Sequence, residues 1–333
     1  MSSATAVLVS IVMGFLPMLV FAWMVYWVDR YEKEPRLLLG VVFAWGAILA
    51  AGAAFIVNTA LGLGVYLFTR SDTLTEFTTG SLIAPIVEEC LKGFAVLIVF
   101  LLARGEFDSI LDGIIYASIT ALGFAATENA YYIYTYGYSE NGPIGMLMMF
   151  VVRVFLVGWQ HPFYTAFTGI GLAIARLSHK STVKIIAPVT GLFVAILTHS
   201  FHNTVASFLP GLTGLAAGTL IDWTGWLFMF IFILWALRRE QRWIIRQLKQ
   251  EVESNLITPT QYRVACSAWL QSLTRLKAFF SGQYRATNRF YQVAAELAYK
   301  KEQCTTLGDE GGNTAIIEDL RAELTRLGAV AIP

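Results

Sequence analysis

Two adjacent carboxylates and an ammonium, Glu88, Glu89 and Lys92, stand inside an apolar run from about 79 to 103. A bilayer is crossed by about 20 apolar residues, so this run is long enough to span and would carry all three charges into lipid. Each charge near the bilayer centre costs about 2.5–3.5 kcal/mol on insertion scales. A chain tolerates such groups where other helices bring them partners, so the stretch calls for a multi-helix bundle closed around a polar centre. On a helix Lys92 lies one turn beyond both glutamates and can reach either, while the two carboxylates diverge by about 100°. One anion would be held by the lysine, leaving the other to bind a metal or take a proton from water. A salt-bridged structural cluster needs only one acid.

Composition extends this to the whole chain. Of 333 residues 56% are hydrophobic and 14% charged, with a mean hydropathy of +0.59, against about 45–50% and 25% in soluble domains. This is a polytopic membrane protein whose first partner is the lipid bilayer; no nucleic-acid partner is expected. The net charge is only +1, but ten Lys/Arg precede Arg238 and fourteen follow from there, so the tail is the basic part. Cys90, Cys266 and Cys304 have no framework spacing and suggest neither a disulfide scaffold nor a cysteine zinc site.

Apolar windows predict spans near 5–28, 37–61, 79–103, 113–136, 146–176, 183–207 and 213–237. The first has no positive n-region before it and reads as a retained span. The expected fold is all-α: a polytopic membrane helical bundle of about seven transmembrane helices (1–237) with a basic, cytosolic helical C-terminal tail (238–333). Lys/Arg placement puts the N-terminus outside and the tail in the cytoplasm. The first loop, Asp29 to Arg36, reads as a solvated turn with interfacial anchors. The 146–176 window would be about 45 Å long as one helix, so Pro162 is expected to kink it and aim His161 into a polar cavity. Arg153 would pair with an acid or snorkel outward. In the tail, 238–249 continues as an amphipathic basic helix. Thr258-Pro259 caps and opens a second, reaching about Phe280, and helices near 284–303 and 314–327 follow. The tail shows no chemistry and reads as an appendage for the anionic inner leaflet or a partner.

Further polar clusters fall in other spans: Asp108 and Asp112 before the fourth, Glu128-Asn129 within it, Gln160-His161 in the fifth, and His199, His202 and Asn203 in the sixth. Counting 1.5 Å per residue from the cytoplasmic ends puts Glu88, Glu89, Glu128, His161 and His199 all at about 21–24 Å depth. One glutamate and two histidines, Glu128, His161 and His199, make an oxygen/nitrogen ligand set suited to Zn2+ with a position left for water. Glu88 or Glu89 would serve as general base, Lys92 would keep one of that pair ionised, and Asn129 or Asn203 would stabilise an oxyanion.

At these residues the chain resembles the PrsW family of intramembrane proteases, distant relatives of the CAAX prenyl endopeptidases. The matching pieces are Asp29 through Pro35, Glu88-Glu89 with Lys92, Asp108 and Asp112-Gly113, Gly123-Phe124-Ala125 with Glu128-Asn129, His161 with Thr165, and His199 with Asn203. They run in order over about 20–207 and leave the tail uncovered. The resemblance implies a multi-pass peptidase cutting membrane-anchored protein substrates, in bacteria including anti-sigma factors, with Glu88 and Glu89 as the catalytic glutamates and His161 and His199 as the histidines. Glu128 stands where CAAX-type relatives carry a histidine, so metallo and glutamate-only mechanisms both remain open.

Two other classes compete. A proton-coupled transporter or channel would use Glu88, Glu128 and the histidines as a relay, and would show pseudo-symmetric halves, of which the sequence has no sign beyond the Pro162 interruption. A site that only binds lipid or a protein partner would show no peptide cleavage.

Overall fold

The computed structural model describes residues 2–209 and 211–332, and among them every regular element is helical. The order is α1 (Ser3–Val28), α2 (Arg36–Thr69, with a π-turn at Trp45–Ala50), α3 (Asp72–Thr78), a π-turn at Thr79–Ile83, and α4 (Ala84–Leu102). Next come α5 (Ile110–Tyr132), α6 (Ser139–Phe150), α7 (Gln160–Arg176), α8 (Ser181–Phe208) and α9 (Gly211–Glu253). The last four are α10 (Pro259–Ala265), α11 (Ala268–Phe280), α12 (Tyr284–Leu307) and α13 (Asn313–Gly328).

Among the described residues, five helical stretches are long and apolar enough to cross a membrane: Ser3–Val28, Arg36–Thr69, Ile110–Arg176, Ser181–Phe208 and Gly211–Glu253. The expected seven is not that number, for two physical reasons. Helix α4 is long enough at 19 residues but carries Glu88, Glu89 and Lys92. The 67-residue stretch from Ile110 holds three elements. It leaves helical geometry at Asn141 and Gly142 (φ +61°) and again at Val157. The proposed kink at Pro162 is therefore corrected: the chain turns at 157–159, and Pro162 sits in the first turn of α7, where its missing N–H breaks no bond.

The chain forms two compact units, the first comprising 1–28, 34–176 and 181–231. Its centre is α5, buried at every position from Ile110 to Ala126. A helix apolar on all sides must be enclosed, and α1, α2, α4 and α7 pack around it while α8 packs on α7. At the α5–α7 crossing, a Cβ on Gly169 would lie 1.9 Å from the Gly113 carbonyl oxygen and one on Gly113 2.2 Å from that of Gly169. Only glycine lets these backbones touch. Helix α5 opens on a capping box. The Asp112 carboxylate accepts the backbone N–H of Ser109 at 2.6 Å and of Asp108 at 2.9 Å, while the Ser109 hydroxyl accepts that of Leu111 at 3.0 Å. The acidic 107–113 motif is thus a helix start.

The first loop is not the solvated turn expected: Asp29, Tyr31 and Glu34 are all buried. Glu34 accepts a hydrogen bond from the hydroxyl of Tyr116, a fully buried α5 side chain, and burying both required that partnership.

The second unit comprises 29–33, 177–180 and 232–333. Its core gathers Tyr31, Ile244, Leu248, Phe290, Tyr291, Leu297 and Leu324. The Glu251 carboxylate accepts from Lys301 and from both Nε and Nη2 of Arg321 at 3.1 and 2.8 Å. Thr258 and Gln261 form a capping box at the head of α10. The single helix expected to run on to Phe280 is divided at Cys266–Ser267, because the Ser267 hydroxyl accepts the N–H of Leu270 and starts α11.

Candidate active site

Four helices of the first unit bring their polar side chains to one point. From α4 come Glu88, Glu89 and Lys92, from α5 Glu128 and Asn129, from α7 His161 and Thr165, and from α8 His199; Glu89 and Lys92 are 0% exposed. The Lys92 ammonium lies at the middle. It donates to Glu89 Oε1 at 2.7 Å and more distantly to Glu88 Oε2 at 3.4 Å, meets His161 Nδ1 at 3.2 Å, and sits 4.2 Å above the centre of the Phe124 ring.

The two glutamates differ in how fully they are engaged. Glu89 Oε1 also accepts from His199 Nδ1 at 3.0 Å, and its Oε2 accepts from the Thr165 hydroxyl at 2.7 Å. Both its oxygens are held. Among the described residues the one hydrogen-bond donor to Glu88 is Lys92, at the longer distance, and His199 Nε2 faces Glu88 Oε2 at 4.0 Å.

Hydrogen bonding assigns the imidazole protons. An ammonium can only donate, so His161 Nδ1 is the acceptor of Lys92 and its Nε2–H donates to Glu128 Oε2 at 2.7 Å. On His199 the proton is on Nδ1, bonded to Glu89, and the Nε2 lone pair is turned toward Glu88. The two rings stand edge to face, 5.3 Å between centroids.

Glu128 takes a different place from the one expected. Its carboxylate pairs with Arg153, whose Nε donates to Asn129 Oδ1 at 2.9 Å and whose guanidinium lies 4.4 Å over the Tyr132 ring. Arg153 thus resolves toward an acid partner. The residues whose ligand atoms all lie within 4.8 Å of one another are Glu88, His161 and His199. Among the described residues Asn129 Nδ2 is buried with no hydrogen-bond partner, whereas the Asn203 amide donates to the Gly80 carbonyl at 2.8 Å and so anchors the π-turn ahead of α4.

Sequence reasoning missed Tyr164 and Asp222. The Tyr164 ring stacks on His199 at 4.8 Å and its hydroxyl donates to Asp222 Oδ1 at 3.1 Å, the same oxygen that meets His202 Nδ1 at 3.0 Å. The available signals were an acid at 222 in an apolar window and a tyrosine three residues past His161.

Three O/N donors converge, and the far nitrogen of each histidine rests on a carboxylate, Glu128 for His161 and Glu89 for His199. That is the support which metal-binding histidines carry. The donor separation of 4.0 Å between His199 and Glu88 is slightly wider than the about 3.4 Å set by zinc bonds of 2.0–2.1 Å in a tetrahedron. Glu88, His161 and His199 could hold a divalent ion, with the Lys92 ammonium 3.2 Å from His161 Nδ1.

The fold and this centre define an all-α integral-membrane protein with a buried carboxylate–imidazole site of the kind that can activate water. Residues 34–236 match the family model described as PrsW family intramembrane metalloprotease, and the chain belongs to that family. It is 32% identical over 123 residues to a protein named Protease PrsW of Clostridioides difficile, covering 37% of this chain and 50% of the relative. Proteins of the same name from Bacillus subtilis and Oceanobacillus iheyensis are 26% and 27% identical, covering 67% and 68% of this chain and 88% and 93% of theirs. The chain spans about half the length of the Clostridioides difficile relative and 46% of one from Geobacillus kaustophilus. No solved structure matches.

Proposed function

We propose that this protein is an intramembrane endopeptidase that hydrolyses membrane-anchored protein substrates, in a bacterium an anti-sigma factor among them. The observation that carries the reading is the unequal engagement of the two glutamates: Glu89 is bound on both oxygens while Glu88 keeps free acceptor capacity beside the His199 lone pair. Glu88 is the carboxylate able to take a proton from water as that water attacks the scissile carbonyl carbon, and to pass it on to the leaving amine. Glu89 is the fixed anion that orients His199 and Lys92. The unpartnered Asn129 Nδ2 supplies a donor to the developing oxyanion. Asn203 acts indirectly, by holding the π-turn from which α4 begins.

Glu88, His161 and His199 would hold a divalent ion, Zn2+ by the chemistry of the donors. Such an ion, when bound, lowers the pKa of its water and polarises the carbonyl. Glu128, expected as a ligand, instead holds His161 Nε2 and is itself held by Arg153. The bundle lies with its N-terminus outside and its basic C-terminal unit in the cytoplasm.

The test is cleavage of a single-span substrate by the purified protein, with metal content measured in parallel. Glu88→Gln, Glu89→Gln, His161→Ala and His199→Ala should each fold in the membrane and lose cleavage, and the Glu88, His161 and His199 variants should also lose bound metal. Cleavage surviving in both histidine variants removes the metal and leaves a glutamate mechanism. Proton flux without cleavage would sink the peptidase reading.

A further inference from the structure

Helix α11 turns its apolar side outward. Trp269 is 70% exposed, Leu273 45%, Leu276 55% and Phe280 79%. At about 100° per residue these four fall within an arc of about 60°. The opposite side, Gln271, Thr274 and Ala278, is the buried one, and the Gln271 amide donates to the Ala265 carbonyl at 2.9 Å. An amphipathic helix on a water-facing domain has the reverse arrangement. Arg263 on α10, Lys277 on α11 itself and Arg285 in the first turn of α12 are exposed. From 254 to 295 the chain has five basic residues, Arg263, Arg275, Lys277, Arg285 and Arg289, and no acidic one. Arg289 is matched by Glu323 and Glu296.

We propose that α11 lies along the surface of an anionic phospholipid bilayer, with Trp269, Leu273, Leu276 and Phe280 at the top of the acyl chains and Arg263, Lys277 and Arg285 at the phosphates. Thirteen residues make about 20 Å of helix, too short for the roughly 30 Å hydrocarbon layer, so the helix lies in the interface. An aromatic and aliphatic stripe rimmed by cations is the pattern that binds there. Two copies of this face would set like charges against each other. Four side chains also cover far less than the roughly 800 Å² per partner of a stable protein interface. The proposal does not depend on the peptidase reading.

The experiment uses the full-length protein reconstituted in bilayers containing phosphatidylglycerol or phosphatidylcholine alone, with shallow-brominated lipid as quencher. Subtracting the fluorescence of a Trp269→Phe variant isolates Trp269 from the other tryptophans. Bromolipid should quench that component in the anionic bilayer, and each of Lys277→Gln and Arg285→Gln should weaken the docked state by about fivefold. Phe280→Asp should release the helix, with iodide then quenching Trp269. Quenching of wild-type Trp269 by aqueous iodide in the anionic bilayer overturns the proposal, because the face is then free in water. Protection from both quenchers also overturns it, since a protein surface would then cover the stripe.

Discussion

Replacing Lys92 by methionine keeps the bulk of the side chain and deletes its charge, leaving two buried glutamates without their shared cation. Breaking a buried ion pair from one side costs about 3–5 kcal/mol. The distances say how that cost divides. At an effective dielectric constant of about 20, the attraction is about 6 kcal/mol for Glu89 at 2.7 Å and about 5 kcal/mol for Glu88 at 3.4 Å. Those are gross values, and desolvation cancels most of each, but it is the same ammonium in both pairs. The difference of about 1 kcal/mol should therefore survive in double-mutant cycles. The assay is equilibrium unfolding in mixed micelles for wild type, Lys92→Met, Glu88→Gln, Glu89→Gln and the two double variants. Lys92 should couple to Glu89 more strongly than to Glu88, and Glu89→Gln should be the costlier single change because it also abandons His199 and Thr165. A coupling to Glu88 equal to or above that to Glu89 would refute the assignment of Glu88 as the freer carboxylate.

Glu128→Gln should weaken metal binding about 10–100-fold without abolishing it, as loss of a carboxylate behind a metal-binding histidine does; complete loss, read by bound-metal analysis, would restore Glu128 as a ligand. Gly169→Ala drives a methyl group into the Gly113 carbonyl and should cost about 1–3 kcal/mol, seen as a lower thermal midpoint, whereas Gly105→Ala, with open space around it, should be neutral. Tyr164→Phe keeps the ring on His199 and loses one hydrogen bond to Asp222, worth about 0.5–1.5 kcal/mol; cleavage should survive it and fail in Tyr164→Leu. In the second unit, hydrogen bonds from Arg289 at 2.8 and 3.0 Å hold the Glu323 carboxyl below its ordinary range. A depressed carboxylate stabilises the fold above its unfolded pKa and ceases to as pH falls through the folded value. Protection factors for hydrogen exchange at α12 and α13 should therefore fall in acid, and Glu323→Gln should flatten that dependence.

How much of this was legible in the sequence depended on cost. Charges in lipid are so expensive that Glu88, Glu89, Lys92, Glu128, His161 and His199 announce a shared centre from position alone, and the structure brings them together. What position could not show is which partner each group takes. Glu128 had Arg153 available from the π-turn at Val151–Leu156, and that turn comes from a break at 157–159 marked by no proline. Asp112 carried the same polar signal as the site residues but was used up in capping α5 with Ser109. The loop from Asp29 looked solvated by residue type, yet Glu34 is buried because Tyr116 on α5 offers it a donor, and Tyr31 because it joins the core of the second unit. Outside the bundle the cap at Thr258 was a local cue and readable, whereas the Ser267 cap that divides the second tail helix was read through as helix, and the outward apolar face of α11 became visible only once burial was known.

Charge counting ties the two candidate mechanisms to one residue. The cluster holds three carboxylates, Glu88, Glu89 and Glu128, and two permanent cations, Lys92 and Arg153, while both histidines are paired in ways that suit neutral rings. Arg153 and His161 satisfy Glu128, and Lys92, His199 and Thr165 satisfy Glu89, so Glu88 is the carboxylate left least engaged. In a site of low dielectric an ionised Glu88 would be the strongest attractor for any further cation. A metal ion and a proton leaving an attacking water have the same destination. Glu88→Gln should therefore abolish cleavage whichever mechanism operates, and in that variant only metal content, not activity, separates the two.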